Sequence, residues 1–157
     1  MQKLPRLSDV ELPTFHVELS DRILVADTDL SGRIYFDKYY RRAEAGYLEL
    51  IRAAGASVRE IFAEPFVTPA VSSRCDYFRP IMVDDMVRQV AFVSHTGASS
   101  QTSQHHFLNE AGEQVATVEI VRVVIEAATG EKTAIQRVLT EVPDSHLARI
   151  LRAGVGA

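Results

Sequence analysis

One cysteine, Cys75, in 157 residues has no partner for an internal disulfide, and thiol usage this sparse fits a reducing compartment. No apolar run reaches the ~18 residues that a membrane-crossing helix needs. The opening stretch MQKLPRLSDVELP contains no apolar core of the kind that directs export. Together these absences predict a cytoplasmic protein with no membrane partner. Basic charge is also short. A net charge of -4 argues against nucleic acid, whose backbone is usually met by a basic face. No phosphate-loop, dinucleotide-binding, nucleophile-elbow or HExxH motif occurs. His16, His95, His105, His106 and His146 show no metal-ligand spacing. No metal and no resident cofactor are expected.

What is present suits one soluble domain. Hydrophobic residues make up 46% and charged residues 24%, and a chain this long can bury a sizeable core. Residues 1–157 read as a single domain. Residues 1–12 are polar and proline-bearing and are expected to form a loose arm. From Thr14 the pattern alternates, with Phe15, Val17 and Leu19 on one side, which predicts a half-buried strand. A long helix is predicted over Asp37–Ala54, because Phe36, Tyr40, Ala43, Tyr47, Leu50 and Ala54 recur at helical spacing. Asp37 is placed as its cap and Gly55 just past its end. Gly46 in the middle of this helix implies that another element approaches closely there. A short helix is expected over Ala56–Phe66. Strands follow over Val71–Phe78, Met86–His95, Ser99–Leu108 and Gln114–Glu126, and a last short helix over 143–153.

One strand, a long helix and then four strands joined by short turns give an α+β architecture. It is an antiparallel sheet curved round one central helix. Both alternating series of Gln114–Glu126 are largely apolar, which predicts a second covering subunit and hence a homo-oligomer, dimer or tetramer.

The stretch joining the first strand to the long helix carries Asp27 and Asp29. Two readings follow from the spacing. Asp-x-Asp before Ser31-Gly32 is common turn chemistry, with carboxylates bonding nearby amides. Alternatively, one carboxylate stands at a pocket mouth as nucleophile or general base.

The run D-T-D-L-S-G-R-I-Y-F-D-K-Y-Y-R-R-A-E (27–44) resembles the signature of the hotdog-fold acyl-CoA thioesterases of the 4-hydroxybenzoyl-CoA thioesterase-like group, through Asp27, Asp29, Gly32, Ile34, Tyr35 and Tyr39. The segment T-P-A-V-S-S-R-C-D-Y-F-R-P-I-M-V-D-D (68–85) resembles that group's second strand and turn. The resemblance implies the hotdog fold and hydrolysis of an acyl-CoA thioester, with coenzyme A as part of the substrate. It implies Asp29 as the catalytic carboxylate and the Val67 backbone N–H as oxyanion donor. It also implies a substrate pocket including Gly32, Tyr35, Tyr39 and Thr68. Departures from the group's pattern are Val67, Arg33 and Lys38; the last two are basic and could favour an acidic acyl group or the carrier's phosphates. Arg74, Arg79, Arg88 and Arg122 are the other candidates for those phosphates. An acyl-carrier-protein thioesterase and a non-catalytic acyl-CoA-binding protein are the alternatives.

Overall fold

A computed structural model describes residues 5–154. The first four residues of the expected arm and the last three of the 1–157 domain lie outside the described residues. The elements, in order, are β1 (His16–Arg22), α1 (Phe36–Ala53), β2 (Phe66–Val67), β3 (Ala70–Tyr77), β4 (Met86–Thr96), β5 (Ser100–Leu108), β6 (Gln114–Val123), β7 (Ile125–Glu126), α2 (Ile135–Glu141) and α3 (His146–Ala153). Five strands form one antiparallel sheet in the order β1-β4-β5-β6-β3, and β2 pairs separately with β7. This is the hotdog arrangement that the sequence predicts.

The helix is central because its apolar stripe faces the sheet. Tyr39 and Ala43 pack with Phe107, Val118 and Ile120. Further along, Tyr47, Leu50 and Ile51 meet Ala91 and Ile150. Leu50 is fully buried, and its truncation to alanine would cost about 2–5 kcal/mol. The helix begins at Phe36, one residue before the expected start. Tyr35 is its N-cap and makes no side-chain capping bond, so Asp37 sits in the first turn and is not the cap. Gly55 follows the helix at φ +75°.

Other expectations change as well. Ala56–Phe66 holds only one 3-10 turn, Ile61–Ala63. The expected helix over 143–153 starts at His146, capped by Ser145, whose hydroxyl accepts from Ala148 N–H at 3.0 Å. Glu64 adds a carboxylate that accepts the His146 and Leu147 N–H groups, the favoured charge at a helix N-terminus. α2 precedes it and was not expected. The described part of the arm is also not loose. Leu7, Val10 and Leu12 pack on Val90, Phe92 and Leu108, and Gln114 N–H donates to Pro5 O at 3.0 Å. The chain's own N-terminal segment therefore covers part of the outer sheet face.

Candidate active site

The turn before α1 is built by main-chain hydrogen bonds together with bonds from the Asp27, Thr28 and Asp29 side chains. The Asp27 carboxylate accepts Leu24 N–H at 3.0 Å and pairs with Arg42 at 3.1 Å. Burial works against its ionisation, but these partners outweigh burial and lower its pKa. Gly32, at φ +74°, closes the turn, donating its N–H to Asp29 O at 3.0 Å. A left-handed backbone at this point favours glycine. The Gly32 carbonyl accepts from Val83 N–H, which ties the turn to the loop before β4.

Asp29 has a different environment. It is exposed, and one carboxylate oxygen accepts both the Ser31 hydroxyl at 2.6 Å and the Ser31 N–H at 2.7 Å. These bonds hold its pKa below the usual aspartate value. The carboxylate is ionised at neutral pH and its second oxygen has no protein partner among the described residues.

Asp29 lines a cavity of about 490 Å³ with Tyr35, Phe36, Tyr39, Tyr77 and Arg33. The aromatic wall is ordered: Tyr39 meets Tyr77 and Phe107 edge-to-face, with ring centroids 5.0 and 6.0 Å apart. Burial pushes the Tyr39 hydroxyl up to about 12, so it stays protonated. At the floor of this cavity is the first turn of α1. Its Phe36 N–H has no backbone acceptor among the described residues, as expected for a first helical residue. The residues that carry an ionised carboxylate and an unpaired helix-start donor, Asp29 and Phe36, therefore line one largely apolar cavity. The sequence reading missed the Phe36 donor; a signal was available, because any helix start beside the motif leaves N–H groups free.

The other predicted residues fall elsewhere. Tyr35 and Tyr39 line the Asp29 cavity, whereas Gly32 shapes the turn. Val67 and Thr68 line a second cavity of about 450 Å³, with Tyr47, Leu48, Ile51 and Arg122. The Asp29 cavity lies at the start of α1 and the second lies by its end. Their α1 lining residues, Phe36 and Tyr39 against Glu44, Tyr47, Leu48 and Ile51, are about ten positions apart on average, roughly 15 Å at 1.5 Å per residue. One chain does not bring Asp29 and Val67 together. The Val67 N–H is also committed. In the β2–β7 ladder Val67 opposes Ile125, and Ala127 N–H donates to Pro65 O. Alternation of antiparallel bonds then assigns the Val67 N–H to the Ile125 carbonyl. Val67 is not a free oxyanion donor here. Of the arginines considered for phosphates, Arg74 pairs with Asp76 and Arg88 with Glu18. Arg79 lies 3.9 Å from Glu113 and lines the Asp29 cavity.

Residues 23–149 match the family described as Thioesterase-like superfamily. A 1,4-dihydroxy-2-naphthoyl-CoA hydrolase of Prochlorococcus marinus is 25% identical over 127 residues, covering 76% of this chain and 84% of that protein. A solved DHNA-CoA thioesterase from Staphylococcus aureus superposes with a TM-score of 0.74 at 22% identity, covering 85% of this chain and 87% of the other. A 4-hydroxybenzoyl-CoA thioesterase variant solved with 4-hydroxybenzoyl-CoA gives a TM-score of 0.70 at 17% identity, covering 87% and 99%.

Proposed function

The chain belongs to the thioesterase-like superfamily, and from that membership we propose that it hydrolyses an acyl-CoA thioester to a free carboxylic acid and coenzyme A. The observation that carries this reading is the ionised Asp29 carboxylate, exposed at an aromatic cavity that is also lined by Phe36, whose N–H is unpaired among the described residues. Asp29 either attacks the thioester carbonyl or takes a proton from an attacking water; both roles require the carboxylate form. The carbonyl oxygen gains negative charge on attack, and the Phe36 N–H at the positive end of α1 stabilises it. The C–S bond then breaks, and the thiolate leaves without needing a strong acid. The names of the relatives make hydroxyaryl acyl groups the first to assay.

The enzyme works as a homo-oligomer in this reading, on a ground other than the one the sequence suggested. β3 is a sheet edge exposed over most of its length, and such an edge is a template for another strand. Its Ala70 end adjoins the Val67–Thr68 cavity and its Tyr77 end lines the Asp29 cavity. Antiparallel pairing of two β3 strands sets the first end of one copy beside the second end of the other. Eight residues span about 27 Å, similar to the length of α1. The acyl chain then enters the partner's second cavity while Asp29 addresses the thioester.

The test is thiol release from a panel of acyl-CoAs, comparing wild type with Asp29→Asn. Turnover that disappears in the variant supports the reading. Absence of turnover on every acyl-CoA, or equal rates in the variant, overturns it. Light scattering tests the assembly: a monomeric mass at micromolar concentration removes the shared site.

A further inference from the structure

A buried polar seam runs beneath α1 and has no part in the Asp29 cavity. Gln89, His105 and Ser103 are at most 5% exposed. Gln89 Nε2 lies 3.0 Å from His105 Nδ1, and His105 Nε2 lies 3.0 Å from Ser103 Oγ. With the amide nitrogen as donor, Nδ1 accepts and the Nε2–H donates to Ser103. Burial depresses the His105 pKa to about 3, so the ring is neutral, as this pattern requires. The seam ends on Arg122, whose Nη1 donates to Ser103 Oγ at 3.1 Å.

Arg122 is held but not neutralised. Its guanidinium lies over the Tyr47 ring, 3.7 Å from the centroid. Among the described residues no carboxylate comes within 4 Å of it. Burial lowers its pKa, yet a guanidinium stays charged. Glu44 attracts it from beyond 4 Å, and a largely buried cation with no acid in contact is a costly arrangement. Arg122 lines the 450 Å³ cavity, and Nη1 is its one nitrogen with a hydrogen-bond acceptor among the described residues. Leu48, Ile51, Ile61, Phe62 and Ile125 make that cavity apolar, and Glu44 is its sole acid, exposed on the same wall.

We propose that Arg122 is the specificity residue of the acyl pocket and selects acyl groups that end in a carboxylate. The cavity supplies an apolar sleeve for the body of the acyl group, and the planar fork binds the terminal carboxylate through two N–H groups. The Gln89–His105–Ser103 seam fixes the fork, so little side-chain freedom is lost on binding. The proposal rests on the thioesterase reading above, in which this cavity takes the acyl chain.

The test measures kcat/KM for a series of ω-carboxyacyl-CoAs against their methyl-terminated isosteres, with hydroxyaryl-CoAs as a third arm. Wild type is expected to favour the carboxylated member of each pair. Arg122→Met keeps the apolar stem and lowers that ratio by about thirtyfold or more, and Arg122→Lys by less. Melting curves establish that both variants are folded. Calorimetry with non-hydrolysable thioether analogues of the same pairs reads binding without chemistry. If wild type hydrolyses nothing, the thioesterase reading fails, and tighter, Arg122-dependent binding of the carboxylated analogue still upholds the site. A wild-type preference for the methyl-terminated or hydroxyaryl group, or a ratio that neither variant moves, overturns the proposal.

Discussion

Arg42 Nη2 lies 3.1 Å from the Asp27 carboxylate and 3.0 Å from that of Asp21, and this clamp gives the two aspartates of the turn different work. One oxygen of Asp27, Oδ2, accepts from both the Arg42 guanidinium and the Leu24 N–H. The Asp29 carboxylate, two residues on, accepts from Ser31 and meets no guanidinium within 4 Å among the described residues, and Asp29 lines the cavity. The expected outcome is a separation of effects. Asp29→Asn lowers kcat by about 10²–10⁴-fold with little change in melting temperature. Asp27→Asn costs about 1.5–3 kcal/mol of stability through the lost charged hydrogen bonds, with a smaller effect on kcat. Parallel thiol-release assays and denaturant melts of the two variants check this.

Replacing Phe36 by proline removes one N–H without disturbing the helix. Proline is tolerated at the first helical position, and Tyr35 before it already has the extended φ -66°, ψ 142° that proline demands. Phe36→Pro is expected to lower kcat by about 10²–10³-fold, as for loss of an oxyanion donor. Phe36→Ala keeps the N–H and is expected to lose less. Equal losses in the two variants would place the effect in the side chain.

Gly46 fits the helix only because it has no side chain. A Cβ there would stand 2.1 Å from Gln89 Nε2 and 3.0 Å from His105 Nδ1. Overpacking costs about 1–3 kcal/mol, and the helix propensity of alanine returns at most about 1. Gly46→Ala is therefore expected to destabilise the fold. Adding Gln89→Ala should relieve the clash, making the double variant more stable than the sum of the single changes, as a double-mutant cycle in urea would report.

The seam also sets a pH dependence. His105 is depressed from 6.5 to about 3 by burial. In that interval the unfolded chain binds a proton that the folded chain does not, so stability rises with pH. The contribution is complete above pH ~6.5 and is lost progressively as pH falls toward about 3, at up to about 1.4 kcal/mol per pH unit. Asp29 moves in the same direction for activity. Its pKa lies below the usual aspartate value, so kcat/KM is expected to hold through mildly acidic pH. Melts between pH 4 and 7 with His105→Gln, which should flatten the slope, separate stability from the rate profile.

The apolar spacing of Tyr40, Ala43, Tyr47 and Leu50, the short turns between strands and the Asp27–Gly32 turn determined the central helix, the antiparallel order and the candidate carboxylate. These are local properties: periodicity selects the face of an element, and turn residues select backbone angles. Gly46 was legible as a close approach, but its cause was not, since Gln89 and His105 lie on other strands. Only the tertiary structure decided which polar atoms were still free. Val67 lost its N–H to Ile125 because the two-residue strand β7, far along the chain, returned in register, and Phe36 kept its own because a helix start has no preceding turn to bond. Arg122 sits in an alternating strand like any surface arginine; the packing of Tyr47 and Ser103 around it, not its neighbours in sequence, left it partly buried at the wall of a cavity. Hydrogen-bond commitment and desolvation depend on partners brought together by folding, and sequence spacing carries neither.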